Sequence, residues 1–141
     1  GTVMWESLDL LKELDVRYPA PEYPALFPTD PDERAEAEAL IQAFSSTMPS
    51  NSRPSSRAAF LFRGWGGDLI PKGEIVQTFD RLEKLLAKHP AGPFFMGAQF
   101  TAVECCWAPF LERYTVQVPL LHEGIDLTDA SRWPLLNKWF Q

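Results

Sequence analysis

Cys105 and Cys106 come first among the residues able to do chemistry, because a thiolate is a strong nucleophile and neighbouring thiols invite a redox reading. They follow a helix start, where the positive end of the dipole lowers a thiol pKa. Both nevertheless lead into an apolar helix, where free cysteine packs as a small hydrophobe, and an adjacent-residue disulfide would need a strained peptide that a helix does not accommodate. Core packing is the expectation for the pair. Two cysteines in all make neither a disulfide framework nor a zinc cage. His89 and His122 lie far apart and have no ligand-spaced partners, and His122 beside Glu123 is assigned no role. Gly64, Gly66 and Gly67 surround Trp65 without a preceding strand or a P-loop lysine, so they predict a turn rather than a phosphate cradle.

Trp107, Phe110 and Tyr114 recur at three- and four-residue spacing and share one helix face. For Trp107 such a stripe means core. Tyr114 adds a hydroxyl that could orient a polar ligand. Glu112 and Arg113 beside them are expected to form a surface or interhelical ion pair rather than a catalytic couple.

These side chains must be positioned by a chain of 141 residues, 45% hydrophobic and 23% charged, enough for one ordinary domain with a sizeable core. A net charge of -6 and a pI near 4.9 leave no surface to neutralise phosphates in bulk, which argues against nucleic acid. The longest apolar runs fall far short of the roughly 20 residues that span a bilayer. Gly1 is not an initiator methionine and no signal-like segment follows it, so the sequence is expected to be a window onto a longer protein.

Thirteen prolines punctuate the chain. Trp5 to Asp15 predicts a short helix, with Trp5, Leu8 and Leu11 at helical spacing. Residues 18–28 carry four prolines and predict an extended linker. Asp30, Pro31 and Glu33 predict a capped helix start with a capping box, the helix running to about Phe44 with Ala37, Leu40, Ile41 and Phe44 as its apolar stripe and the acidic Asp32, Glu33, Glu36 and Glu38 as a solvated face. Ser45 to Ser56 predicts a loop or break. Glu74 to Lys88 predicts an amphipathic helix with Ile75, Phe79, Leu82 and Leu86 inside, ended by Pro90 and Gly92. A last helix is expected near Trp133, and no strand alternation is sustained anywhere.

Gly92 to Tyr114, GPFFMGAQFTAVECCWAPFLERY, is the most informative stretch. Thr101 and Glu104 form a capping box, Phe100 and Cys105 are placed for a hydrophobic staple, and Pro109 predicts a bend. A Val118 to Leu121 apolar patch follows. The ordered set of FMG, stapled box and PFLER resembles the helical C-terminal domain of glutathione S-transferases, whose buried helix opens with such a box and staple, usually with aspartate where this chain has Glu104. Trp5-Glu6-Ser7 before LDLLKELD resembles the end of that family's thioredoxin-like domain, and Pro134, Leu136 and Trp139 match its closing P-x-L-x-x-W helix. GPFFMG with PFLERY is most similar to the cysteine-type lambda and omega classes.

The resemblance implies an all-α bundle over residues 29–141, a linker at 18–28 and a remnant of the thioredoxin-like domain at 1–17. It implies that Glu6 and Ser7 hold the γ-glutamyl end of glutathione and that Phe110 and Tyr114 face the acceptor-substrate pocket. It further implies a cytoplasmic or plastid detoxification enzyme acting on a small electrophilic or disulfide substrate, with its catalytic residue upstream of Gly1 and no metal. It implies a homodimer or larger assembly, since dimers are common in the family, with cysteine-type lambda members as the exception to expect. Because fold does not fix function, a non-catalytic scaffold or interaction module stands as the alternative, and a ligand carrier using the aromatic groove as a third.

Overall fold

The computed structural model describes residues 3, 6–48, 62–63 and 68–141. Among them are five helices, α1 (Ser7–Arg17), α2 (Pro31–Thr47), α3 (Lys72–Leu86), α4 (Ala102–Leu121) and α5 (Pro134–Phe140). A two-residue antiparallel pair, β1 (Phe62–Arg63) with β2 (Asp68–Leu69), interrupts the all-α architecture in the register Phe62 to Leu69 and Arg63 to Asp68. The expected glycine-rich turn at 64–67 lies outside the described residues, and of the loop expected over Ser45 to Ser56 residues 45–47 belong to α2 while 49–56 lie outside the described residues.

α2 starts as its sequence dictates. Asp30 Oδ1 accepts from the amides of Asp32 at 2.9 Å and Glu33 at 3.0 Å, and Pro31 occupies the first turn, where its missing N–H costs nothing. The cap is Asp30's alone, because no reciprocal bond from Glu33 to Asp30 is formed. The helix outlasts the expected end at Phe44, since Met48 N still donates to Phe44 O at 3.0 Å. α1 begins two residues later than expected, at Ser7, and buries no side chain. The proline-rich segment is not extended: Tyr23 N donates back to Pro19 O at 3.3 Å, and the Tyr18 and Tyr23 rings meet edge-on at 5.1 Å. That backbone bond and ring contact fold the segment into a turn.

α3 buries Ile75, Phe79, Leu82 and Leu86, and its Gln77, Arg81 and Lys84 face water, as the periodicity requires. It also supplies the start of α5. Glu83 accepts from the amides of Leu135 at 2.8 Å and Leu136 at 2.9 Å, and Asp80 accepts from Trp133 Nε1 at 2.9 Å. Glu83 thus satisfies orphan backbone donors at the start of α5, and Asp80 the indole of the residue that precedes it. α4 runs without interruption across Pro109 and Pro119, so the Val118 to Leu121 patch is its last turn rather than a separate segment. Each proline deletes one rung of the ladder, and the buried side chains on both sides of Pro109 hold the helix together across the gap. α2, α3, α4 and α5 share one core that includes Leu40, Phe79, Trp107, Leu111, Tyr114, Trp133 and Leu136, each large apolar side chain contributing about 1.5–3 kcal/mol by leaving water.

Candidate functional site

The N-terminus of α4 is the junction where most of the sequence signals converge. Glu104, fully buried, accepts from Thr101 N at 2.9 Å and Thr101 Oγ1 at 2.8 Å, while Thr101 Oγ1 accepts from Val103 N at 3.2 Å, and the capping box is closed in both directions. The second Glu104 oxygen reaches outside the helix and accepts from Phe95 N at 2.8 Å. That bond secures a small turn in which Phe94 and Gly97 exchange backbone hydrogen bonds at 2.9 and 3.0 Å. Gly97 adopts a φ of 91° there, a conformation side chains rarely tolerate. Gly92 packs so closely that an added Cβ would sit 2.3 Å from the Ala98 Cα. Leu26 O accepts from Ala102 N at 2.7 Å, and Gln99 Nε2 donates to Ala25 O at 2.9 Å, so the proline-rich segment also closes on this helix start.

Phe100 is half exposed, and its ring meets Phe94 edge-on at 5.5 Å. Cys105 and Cys106 are half-buried free thiols. Burial, and then the neighbouring Glu104 charge, pushes the Cys105 thiol up; burial, and then Cys105 itself, pushes Cys106 up. Neither is set up as a thiolate nucleophile at neutral pH.

Further along α4 the aromatic stripe divides. Trp107 is fully enclosed between Phe44 and Phe95, with ring centroids 5.1 Å from each. Tyr114 is also fully enclosed, edge-on to Phe79 at 6.4 Å, and burial raises its phenol well above the ordinary tyrosine range against the opposing charge of Arg113. Phe110 alone of the three reaches a partly open surface. Its ring lies 4.6 Å from that of Phe44, tilted 48°, and the Arg113 guanidinium sits over it at 5.7 Å. Arg113 therefore leans on an aromatic ring and makes no ion pair with Glu112 among the described residues. Phe44 is a contributor that the sequence assigned only to a core stripe, since a pairing between α2 and α4 leaves no local signature.

Glu6 and Ser7 sit at the start of α1, both exposed. Glu6 occupies the N-cap position without making a side-chain capping bond. Trp5 lies outside the described residues. Among the described residues no group of three His, Cys, Asp or Glu side chains is placed to hold a metal, and no helix is long and apolar enough to cross a membrane.

Residues 72–141 match the family model for the glutathione S-transferase C-terminal domain. The chain belongs to the glutathione S-transferase family. It is 36% identical over 140 residues to Protein IN2-1 homolog B of Oryza sativa subsp. indica, covering 99% of this chain and 50% of that protein. It is 30% identical over 141 residues to Glutathione S-transferase L3 of Arabidopsis thaliana, covering 100% and 52%. Glutathione S-transferase L2, chloroplastic, of Arabidopsis thaliana is 30% identical over 142 residues, with 99% and 41% covered. The chain spans about half the length of these relatives. Glutathione transferase Omega 3C from Trametes versicolor shares its fold, with a TM-score of 0.67 at 23% identity over 96% of this chain and 56% of that one.

Proposed function

We propose that the protein carrying this chain is a glutathione-dependent transferase or thiol oxidoreductase of the cysteine-type classes, and that residues 29–141 supply the acceptor-substrate side. The observation that carries this reading is 30–36% identity to plant proteins named lambda glutathione S-transferase or IN2-1 along the whole chain, with relatives' length to spare for a thioredoxin-like domain. Residues 1–17 would be the last helix of that domain, and 18–28 the segment joining it to the helical bundle.

Glu6 and Ser7 suit the γ-glutamyl end of glutathione. A carboxylate free of capping duty attracts an ammonium, and the hydroxyl and unpaired amides of a helix's first turn attract a carboxylate. Chemistry would begin at a low-pKa thiol in the other domain, because the raised thiols of Cys105 and Cys106 do not provide one. Phe110, paired with Phe44, offers an apolar wall for an acceptor, and enclosed Tyr114 supports that wall from behind rather than touching the substrate. The cytoplasm, or a plastid given the chloroplastic relative, is the proposed compartment, and a homodimer the proposed assembly beyond the monomer.

The test is direct. The intact protein should be retained on immobilised glutathione and should reduce a mixed glutathione disulfide, and Glu6→Ala should weaken both. An intact, folded protein that does neither would be a scaffold or interaction module instead.

A further inference from the structure

α1 is held in an unusual way. None of its side chains is fully buried: Leu8 and Leu11 are half-buried, while Leu10, Leu14 and Val16 remain 42%, 45% and 77% exposed, so hydrophobic packing holds its direction only weakly. Lys12 pairs with Glu38 of α2 at 3.9 Å, between half-exposed groups, and such a surface pair contributes little. The firm connection is Asp15. Its Oδ1 accepts from Leu26 N at 2.7 Å and from Phe27 N at 3.4 Å, eleven and twelve residues further along the chain. Phe27 is buried with Arg34 over its ring at 4.9 Å, and Leu26 O in turn accepts from Ala102 N, the first amide of α4, at 2.7 Å. One residue, Leu26, is therefore donor to α1 and acceptor from α4.

From this relay we infer that Asp15 is a positioning residue: its carboxylate, acting through the Leu26 peptide groups, sets the orientation of α1 relative to α4. Resting on the glutathione-binding reading of Glu6 and Ser7, the same linkage aims the first turn of α1 at the γ-glutamyl group. A charged acceptor on two backbone amides is stronger and more directional than a neutral one, and no other side chain replaces it if it is removed. Without it the Leu26 amide is unpaired, Leu26 O loses its fixed direction, and α1 pivots on a linker whose remaining anchors to the bundle begin at Ala25, held by Gln99. The loss would fall on glutathione affinity, whereas the reacting thiol, held by another domain, would be untouched.

The experiment compares wild type, Asp15→Ala and Asp15→Asn in the intact protein. Asp15→Ala should raise the KM for glutathione about tenfold with kcat changed less than about twofold, while Asp15→Asn, which keeps an acceptor oxygen, restores most of the affinity. Amide exchange at Leu26 and Ala102 should accelerate in Asp15→Ala with other α4 amides unchanged, and residual dipolar couplings should show α1 rotated against α4. An unchanged KM, or a fall in kcat at constant KM, would overturn the glutathione part. Unchanged exchange at Ala102 and an unmoved α1 would overturn the relay itself, and they would do so even in a protein that binds no glutathione, so the two readings fail separately.

Discussion

Substituting Glu104 by aspartate isolates what the longer side chain adds. Aspartate closes a capping box and is the usual residue of the family at this place, so if the box were the whole role the change would be neutral. Glu104, however, divides its oxygens: one holds Thr101 N and Oγ1 at 2.9 and 2.8 Å, the other holds Phe95 N at 2.8 Å. Aspartate is one methylene shorter and keeps the first set only. The Phe95 amide is buried, and an unsatisfied buried donor costs about 1–3 kcal/mol, so Glu104→Asp should lose about 1–2 kcal/mol. For a chain of this size that lowers Tm by about 3–8 °C. Glu104→Gln keeps the length but turns one oxygen into an NH2 that must face an amide N–H, and should lose about 2–4 kcal/mol. Urea denaturation followed by tryptophan fluorescence measures all three, since Trp107 packs on Phe95 at 5.1 Å. The expected order is wild type, then aspartate, then glutamine. Aspartate equal to wild type within about 0.3 kcal/mol, or glutamine more stable than aspartate, would refute the two-site role.

Removing the Glu83 carboxylate (Glu83→Ala) should cost about 1–2 kcal/mol and speed hydrogen exchange selectively at Leu135 and Leu136, the two amides it accepts from. Because burial raises the thiols of Cys105 and Cys106, alkylation by iodoacetamide should be slow at pH 7 and still climbing above pH 9; a fast reaction that levels off below pH 8 would contradict the buried setting. The buried Tyr114 phenol has its folded pKa raised, so the stability tied to its neutral form is complete below the ordinary tyrosine pKa of about 10 and is lost as pH rises beyond it. In a variant with Tyr18 and Tyr23 changed to phenylalanine, absorbance at 295 nm should therefore rise only with unfolding.

How much of this was legible beforehand follows from how local each signal is. The Thr101 to Glu104 box and the Asp30 cap involve residues two or three apart, so spacing alone announces them; the α3 stripe is legible for the same reason, because helical period and burial coincide there. Boundaries are less legible where backbone bonds without a side-chain signature decide: α2 outlasts Phe44 because its ladder continues to Met48, and the proline segment turns back because Tyr23 N bonds to Pro19 O. Sequence order carries no record of partners fifty residues away, such as Glu83 and Asp80 on α3 serving α5, or of Phe44 crossing to Phe110. Helical period puts Phe110 and Tyr114 on one face, yet that face is not uniformly accessible: the four-residue step from one to the other carries Tyr114 into the Phe79 core and leaves Phe110 at the rim. A shared face is a statement about one helix, while a pocket is a statement about what the neighbouring helices leave uncovered. The same division applies to the cysteines: the capped apolar helix they begin is local and legible, whereas the neighbouring elements leave both half-buried rather than in the core, only Cys106 packing against it, and that partial burial raises their thiols.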